Sequence, residues 1–290
     1  MRLKSLVEYL QLTKPKVTLL NLLVAVTCFL LAVYPKVDWM NLAAFMVVGY
    51  AAAGGCGVLN SAYDRDIDSL MSRTVKRAIP SGRVSAKNAF AIGITMIAAS
   101  LAASILFFNI LTALIMSLGA VFYLLIYTFW LKRVSPWNVV IGGLAGCFAG
   151  LSGWTATGAT LTWIPLLVAS VDFLWTPGHL WSLAIKKVDE YRKAGVPMLP
   201  VALGVSKASK IVFWLNVATV ASSLALVFFG VEGTIYLVVA LASGIMFLMA
   251  SVKLLTLKSE EQGFHVFLFS MPYLMCLMFG LIADKIFFIV

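Results

Sequence analysis

Charged residues are scarce in this sequence. Lys, Arg, Asp and Glu make up 12% of its 290 residues, whereas hydrophobic residues make up 62% and the mean hydropathy is +0.99. A soluble globular domain carries about 25% charged residues, so this composition excludes a soluble fold. Apolar runs of roughly 20 residues recur along the chain, and a helix of that length crosses a hydrocarbon core about 30 Å thick. We therefore predict an all-α, polytopic membrane helical bundle.

Cysteine is also scarce, and its spacing follows no metal-binding pattern. The four cysteines are Cys28, Cys56, Cys147 and Cys276, and all of them fall inside apolar runs. No two of them have a spacing typical of metal ligands or of a disulfide framework. We therefore expect four buried free thiols, which behave as small apolar side chains.

About nine apolar segments are long enough to span a membrane. The opening, MRLKSLVEYLQLTKPK, is amphipathic and leads directly into the first of them, so we expect no cleavable signal. No soluble domain or linker separates the segments, which predicts a single transmembrane domain over residues 1–290. The predicted spans lie near residues 17–34, 39–59, 88–108, 110–130, 138–158, 161–185, 210–230, 233–257 and 264–287.

Basic residues outnumber acidic ones, 22 to 12, and nearly all of them lie on one side of the predicted membrane. Only Lys36 and Lys285 fall on the other side. Because basic loops are retained in the cytoplasm, the N-terminus and the loops after even-numbered spans are predicted to be cytoplasmic, in the cytoplasmic (inner) membrane. The basic charge therefore indicates topology and contact with membrane lipid, and we expect no nucleic-acid partner.

The loop after the second span, NSAYDRDIDSLMSRTVKRAIPSGR, concentrates charge. If the helix of that span continues, Asn60, Asp64 and Asp68 share one face at positions i, i+4 and i+8, whereas Asp66 points elsewhere. Carboxylate oxygens completed by substrate phosphates are what Mg²⁺ prefers. Such a loop can also be a solvated anchor, but three carboxylates within five residues repel one another and favour a bound cation. Three basic side chains follow that can neutralise phosphate oxygens: Arg73, Lys76 and Arg77.

A second polar cluster begins inside the sixth predicted span, WTPGHLWSLAIKKVDEYRKAGVPMLP. Asp172 and His179 interrupt the apolar run there, and ionisable groups within a span usually face a cavity or the bundle interior. His179 is either a hydrogen-bonding partner between helices or a ligand. Pro177 and Gly178 are expected to loosen the helix. Both polar loops follow even-numbered spans, so we predict two functional cytoplasmic loops that close over one site.

A metal and phosphate cradle beside an apolar interior favours a substrate with an anionic head and an apolar tail, such as a prenyl diphosphate. A cation and basic side chains would stabilise the departing diphosphate. The alternative class is a transporter for an anionic metabolite, which predicts paired half-chain repeats with matching broken helices. The candidate counterpart of the Pro177-Gly178 segment in the first three spans, GYAAAGGCG, contains no proline.

The loop motif resembles the first aspartate-rich motif of the UbiA superfamily of intramembrane prenyltransferases. The resemblance includes its basic continuation, seen here as Arg73, Thr74, Arg77, Pro80, Ser81 and Gly82. The segments FLWTPGHLWSLAI, DEYRKAGVPMLPV and LTKPKV resemble one branch of that superfamily, the protoheme IX farnesyltransferases. The resemblance covers essentially the whole chain.

The resemblance implies transfer of farnesyl from farnesyl diphosphate to a vinyl group of protoheme IX (heme B), with addition of water. The product is heme O, in heme A/O biosynthesis for terminal oxidases, and a downstream heme A synthase or terminal oxidase is an expected partner. It implies that Mg²⁺-diphosphate is held by Asn60, Asp64 and Asp68, and that catalysis also uses Lys186. It further implies diphosphate contacts from Arg73, Lys76, Arg77 and Lys187, and heme contacts from Trp175, His179, Trp181, Asp189, Glu190, Tyr191 and Arg192.

Two positions depart from the branch's usual pattern. Gly178 stands where a second proline is usual, and Ser61 stands where an aspartate commonly follows the asparagine. Because Asn60, Asp64 and Asp68 are all present, Ser61 puts the number of metal ligands in question more than the type of reaction. The alternative within the superfamily is a prenyltransferase acting on a quinone precursor, a chlorophyllide or a glycerol phosphate lipid. That alternative predicts aspartates in place of His179 and Lys186.

Overall fold

A computed structural model describes residues 3–229, 231 and 233–287 of the chain, with side chains from residue 7 onward. The described residues contain helices and connecting turns but no strand. The helices are α1 (Leu3–Leu12), α2 (Pro15–Val33), α3 (Trp39–Tyr63), α4 (Arg65–Leu70), α5 (Ala86–Phe107), α6 (Ile110–Val121), α7 (Asn138–Thr155), α8 (Trp163–Lys186), α9 (Val188–Lys193), α10 (Leu199–Leu203), α11 (Val205–Phe228), α12 (Thr234–Leu257) and α13 (Glu260–Phe287). After α6 the chain continues as a π-helical segment, Phe122–Trp130, and a 3₁₀ turn, Leu131–Arg133.

Seven helical segments in the described part of the chain are long and apolar enough to cross a membrane. They are Pro15–Val33, Trp39–Tyr63, Ala86–Phe107, Ile110–Arg133, Val205–Phe228, Thr234–Leu257 and Glu260–Phe287. The all-helical prediction is confirmed, but the predicted number of nine spans is not. The two predicted spans outside this set correspond to α7 and α8, which contain many glycine and polar residues.

Small residues bring α3 and α5 close together. A Cβ added at Gly55 of α3 would lie 3.0 Å from the carbonyl oxygen of Gly93 on α5. A Cβ added at Gly93 would in turn lie 2.7 Å from Cγ of Leu59. Small residues at such positions let helix backbones approach closely within a membrane. This packing holds the end of α3 where Asn60 lies.

Helix α8 is packed against α7, α11 and α13, and it runs without interruption from Trp163 to Lys186. The expectation that Pro177 and Gly178 loosen it is therefore wrong. A proline inside a helix removes its own N–H from the backbone ladder and its ring crowds the carbonyl of residue i−4, but packing by neighbouring helices can compensate for these effects. The side chain of Asn216 on α11 lies against Gly178, where an added Cβ would be 2.2 Å from Asn216 Oδ1.

Buried Asp284, near the end of α13, has a structural role. It accepts hydrogen bonds from backbone N–H groups at the start of α12, including that of Ile235 at 2.9 Å. It therefore satisfies donors that a helix N-terminus leaves unpaired.

The cysteines follow the prediction at three of four positions. Cys28, Cys56 and Cys147 are buried free thiols, whereas Cys276 is exposed. The expectation that all four are buried is therefore wrong at Cys276, because that residue lies on the outer face of α13, beside exposed Met275.

Candidate active site

The asparagine and two aspartates of the first loop lie on one buried side of the junction between α3 and α4. Asn60 belongs to the last turn of α3, Asp64 separates the two helices, and Asp68 lies within α4. The N–H of Asp64 donates to the carbonyl of Asn60 at 2.9 Å, and that of Asp68 to the carbonyl of Asp64 at 2.8 Å. The helical spacing therefore continues through the junction. The exposed fractions of the three residues are 4%, 1% and 6%.

Asp64 is surrounded by cations from the turn after the π-helical segment. Its Oδ2 accepts a hydrogen bond from Lys132 Nζ, and its Oδ1 lies 3.6 Å from Arg133 Nη2. Arg133 also forms a bidentate ion pair with Asp66, at 2.7 and 2.9 Å. This hydrogen bonding lowers the pKa of the exposed Asp66 carboxyl to about 2. Asp66 therefore faces away from the buried side, as the helical spacing predicts.

The other two members of the set also contact basic side chains. Asn60 Oδ1 accepts from Lys14 Nζ, whereas Asn60 Nδ2 donates to Asp64 Oδ2 and to Thr128 Oγ1, both at 2.9 Å. Asp68 Oδ2 accepts from Arg77 Nη1 at 2.9 Å. Four basic side chains from three segments therefore meet this small set of oxygens.

Lys14 has an unusual environment for a lysine. It precedes α2 with a left-handed backbone conformation, φ 53°, and its side chain reaches the buried oxygens. Burial, followed by the neighbouring charges of Arg77 and Lys132, lowers the pKa of Lys14 to about 7, and Asp68 and Asp64 only partly oppose this shift. Four basic side chains meet three aspartates around this site, which suits an anionic substrate.

The oxygen set fits the preferences of a divalent cation that shares its shell with a substrate. Asp64 Oδ1 is buried without a hydrogen-bond donor, whereas Asn60 Oδ1, Asp64 Oδ2 and Asp68 Oδ2 accept from ammonium or guanidinium groups. Within the described residues no group of three His, Cys, Asp or Glu side chains is arranged to hold a metal alone. Two carboxylates plus one amide oxygen nevertheless suit Mg²⁺, which takes few protein ligands and completes its shell with water and phosphate.

An apolar cavity begins beside this cluster, with about 860 Å³ of empty space including its open mouth. Lys14 lies on its wall, and the cavity extends between α2, α3, α5, α6 and α7. Many of its lining residues are small, namely Ala25, Gly49, Ala52, Ala53, Gly57, Gly119, Ala120, Ala145 and Ala149. Because small side chains leave the space between these helices unfilled, the fold provides a compartment next to the charged cluster.

The second polar loop is joined directly to the first. Glu190 on α9 accepts hydrogen bonds from the backbone N–H of Ser72 at 3.0 Å and from its hydroxyl at 2.8 Å. Lys187 Nζ donates to Glu190 at 2.7 Å and to Ser72 Oγ at 3.3 Å. These bonds lower the pKa of Glu190, with the largest contribution from Lys187. We call the group of Ser72, Lys187 and Glu190 the loop clasp.

The other predicted residues of the two loops lie in different surroundings. Asp189 and Arg192 form an exposed ion pair with each other, whereas Tyr191 is buried. Half-buried Lys186 has no hydrogen bond or ion pair with any residue that the structure describes. In the first loop, two of the predicted diphosphate ligands are exposed, namely Arg73 and Lys76. Of these residues, only Tyr191 is held in the protein interior.

His179 and Trp175 form a stacked aromatic group with α13. Their rings are 4.3 Å apart, and the His179 ring also stacks on Phe267 at 4.5 Å. Ser270 Oγ lies 2.6 Å from His179 Nδ1, and the carbonyl of Ser270 accepts from Trp175 Nε1 at 2.8 Å. Stacking and the contacts with Ser270 therefore hold His179 and Trp175 against α13.

Trp181 does not belong to that group. It is fully buried and packs edge-on against Trp137, with the ring centres 5.7 Å apart. Its position two residues after His179 turns it to another face of α8, because a helix brings residues together at i+3 and i+4.

Known proteins share both this sequence pattern and this arrangement of helices. The UbiA prenyltransferase family matches residues 21–274. The chain belongs to the UbiA prenyltransferase family. Among its UbiA relatives, the protoheme IX farnesyltransferase of Nostoc sp. (strain PCC 7120) is 38% identical, covering 96% of this chain and 88% of that protein. Protoheme IX farnesyltransferase 1 of Paramagnetospirillum magneticum is 40% identical, covering 96% of this chain and 98% of the relative.

Solved structures share the UbiA fold. A structure of digeranylgeranylglyceryl phosphate synthase matches with a TM-score of 0.80 and 22% identity, covering 98% of this chain and 99% of that chain. A UbiA homolog from Archaeoglobus fulgidus, bound to DMAPP and Mg²⁺, matches with a TM-score of 0.68 and 20% identity, covering 90% and 99%. At these identities the likeness shows the fold alone.

The structure adds residues to the candidate UbiA site that the sequence pattern does not reveal. Lys132 stands out in the sequence only as a topology signal, although both Lys132 and Lys14 contact the oxygen set. Thr128 lies in the π-helical segment and has no signal at all. Such segments often occur at functional sites, but a uniformly apolar sequence gives no sign of one. The similarity of LTKPKV to the branch is the one available signal for Lys14.

Proposed function

We propose that this chain transfers the farnesyl group of farnesyl diphosphate to a vinyl group of protoheme IX, adding water and releasing diphosphate to give heme O. The proposal rests above all on the buried set of Asn60, Asp64 and Asp68, surrounded by cations and beside an apolar cavity. The choice of protoheme IX as the acceptor is supported by relatives named protoheme IX farnesyltransferase, which are 37–40% identical over nearly the whole chain.

The reaction begins when the bond between farnesyl C1 and the diphosphate oxygen breaks and its electron pair leaves with the diphosphate. Bound at Asn60, Asp64 and Asp68, Mg²⁺ would supply positive charge to that leaving group, as expected for phosphate ligands. Support for the metal comes from the UbiA homolog with DMAPP and Mg²⁺. Basic side chains of this chain then stabilise the accumulating charge, namely Lys14, Arg73, Lys76, Arg77, Lys132 and Lys187.

The apolar cavity protects the electron-poor farnesyl group from water until the acceptor reacts. The terminal vinyl carbon of heme forms the new carbon–carbon bond, and a water oxygen then bonds to the inner vinyl carbon and loses a proton. Excluding water from the first step and admitting it to the second requires the acceptor to lie at the polar end of the cavity. Lys14 marks that end.

His179 and Trp175 are the proposed contacts for the porphyrin. The contact between His179 Nδ1 and Ser270 fixes the ring orientation and leaves Nε2 as the nitrogen available to an iron or a porphyrin edge. Lys186, which has no ion-pair partner in the described part of the chain, is proposed to bind diphosphate or a heme propionate. Four residues would act less directly, by shaping the loop and the core around it: Trp181, Asp189, Tyr191 and Arg192.

The proposal also includes the number of membrane spans, the side of the membrane on which the loops lie, and the recipient of the product. Helices α7 and α8, with 18 and 24 residues, reach about 27 and 36 Å and would complete nine spans of a single domain. The distribution of basic residues supports cytoplasmic loops in the inner membrane. A heme A synthase or a terminal oxidase is the proposed recipient of the product.

An acceptor competition tests the proposed function. Purified protein receives farnesyl diphosphate and Mg²⁺ together with heme B, an aromatic acid and a glycerol phosphate lipid, and the products are separated by mass. We expect the heme to carry the farnesyl group. Prenylation of the aromatic acid or of the lipid, with heme unchanged, would support the alternative acceptors instead.

A further inference from the structure

The apolar cavity has a defined direction along α3. Gly57, Ala53, Gly49 and Phe45 all line it, and they follow one another at intervals of four residues. Residues at this spacing form a single stripe along a helix. At a rise of 1.5 Å per residue, the stripe from Gly57 to Phe45 is about 18 Å long. Because Gly57 lies just before Asn60 on α3, the stripe leads away from the charged cluster.

The far end of the stripe is closed by an aromatic stack. Phe45 is fully buried, and its ring lies 5.8 Å from that of Phe29 and 5.9 Å from that of Phe108. Phe29 and Phe108 are not among the residues that line the cavity, so they support the Phe45 ring from behind. Between the charged cluster and Phe45, the stripe carries only glycine and alanine. Phe45 is therefore the first large side chain that the stripe itself presents to an entering chain, and Leu22 of α2 also lines the cavity, with its Cδ1 3.3 Å from where a Cβ on Gly49 would lie.

We infer that Phe45 is a specificity-determining residue that limits the prenyl chain to the length of farnesyl. The inference rests on the proposed function, with the diphosphate at the charged cluster and the tail along the stripe. An extended chain advances about 3.5 Å per three bonds, so the twelve-carbon backbone of farnesyl reaches about 14 Å. One more isoprene unit brings the reach to about 19 Å. The shorter chain fits before the Phe45 ring, whereas the longer one meets it.

The test compares Phe45→Ala with Phe29→Ala. Both variants remove a phenyl ring from the same stack, but only the first lengthens the cavity. We expect Phe45→Ala to raise the preference for geranylgeranyl over farnesyl diphosphate by about tenfold or more, since extra methylenes in an apolar pocket contribute at least that much. Phe29→Ala is expected to leave the preference unchanged. Binding of the two diphosphates is measured without heme, and product ratios are measured with it.

A reciprocal variant keeps the inference falsifiable if Phe45→Ala does not fold. Ala53→Leu places a larger side chain partway along the stripe, so we expect it to favour geranyl over farnesyl diphosphate. An unchanged preference in Ala53→Leu, or an equal shift in Phe45→Ala and Phe29→Ala, would overturn the role of Phe45. If the unmodified protein binds no prenyl diphosphate at all, the proposed function itself fails, which is a distinct result.

Discussion

Among single residues, Asp66 and Asp68 illustrate how two nearby carboxylates acquire different surroundings. Asp68 is buried and pairs with Arg77, whereas Asp66 is exposed and pairs with Arg133. Helical spacing predicts this division, because positions 60, 64 and 68 share a face that position 66 does not. The basic partners of the buried set could not be predicted, since two lysines, at positions 14 and 132, reach it from distant parts of the chain.

Because Asp68 is buried and Asp66 is exposed, the same substitution at the two positions tests the role of the buried set. We expect Asp68→Asn to lower turnover by at least about 100-fold, because it removes a carboxylate proposed to hold the Mg²⁺ that stabilises the departing diphosphate. Asp66→Asn is expected to change turnover by only a few fold. Steady-state kinetics with farnesyl diphosphate and heme measure both variants, after thermal unfolding has established that each is folded. Equal losses in the two variants would contradict the assigned metal role.

Among the helices, α8 shows where local sequence rules fail. Proline and glycine in succession predict a loosened helix, yet α8 remains continuous because α7, α11 and α13 pack against it. Gly178 is required for a different reason, which is the close approach of Asn216 on α11. That contact joins residues far apart in the chain, so no local pattern indicates it.

The contact between α8 and α11 predicts a coupling between two substitutions. Gly178→Ala should destabilise the protein by about 1–3 kcal/mol, because its Cβ would overlap the Asn216 side chain. Combining it with Asn216→Ala should recover part of that loss, so the two effects are not additive. Thermal unfolding in detergent of both single variants and the double variant measures the coupling. If the two effects add strictly, the overlap between the Cβ added at position 178 and the Asn216 side chain does not cause the loss of stability in Gly178→Ala.

The loop clasp makes a second prediction about elements. Glu190→Ala should increase hydrogen exchange in the segment after Ser72, because it removes both acceptors of that residue. Asp189→Ala serves as the control, since Asp189 pairs only with neighbouring Arg192 in the described contacts. Exchange measured by mass spectrometry should rise in the first variant alone. A matching rise in the control would argue against the clasp.

The clasp also has a defined pH dependence. Its hydrogen bonds lower the pKa of Glu190 in the folded protein, so its stabilisation is fully present above the ordinary pKa of glutamate, about 4.3. That stabilisation is lost as the pH falls through the lowered folded-state pKa. Protection of the Ser72 segment should therefore be constant near neutral pH and decline only in acid, and a decline near neutral pH would contradict this assignment.

For the molecule as a whole, the lengths of the apolar segments predict where most of the long helices begin and end. The ends of the long helices fall within a few residues of the predicted spans, apart from the earlier start of α11, because water and hydrocarbon impose a sharp boundary on apolar segments. The number of spans is harder to establish, since α7 and α8 use glycine and polar residues for packing and for the site. The cavity depends on how five segments pack, which no single segment encodes.

Metal-dependent farnesyl transfer to heme requires the buried oxygen set and the apolar cavity to act together. The mass of the heme product tests this requirement, after purified protein is stripped of divalent metal and incubated with heme B and farnesyl diphosphate, with and without added Mg²⁺. We expect a heme heavier by one farnesyl group and one hydroxyl group, formed only when Mg²⁺ is present. Unmodified heme in both reactions, or equal product in both, would refute the proposed reaction.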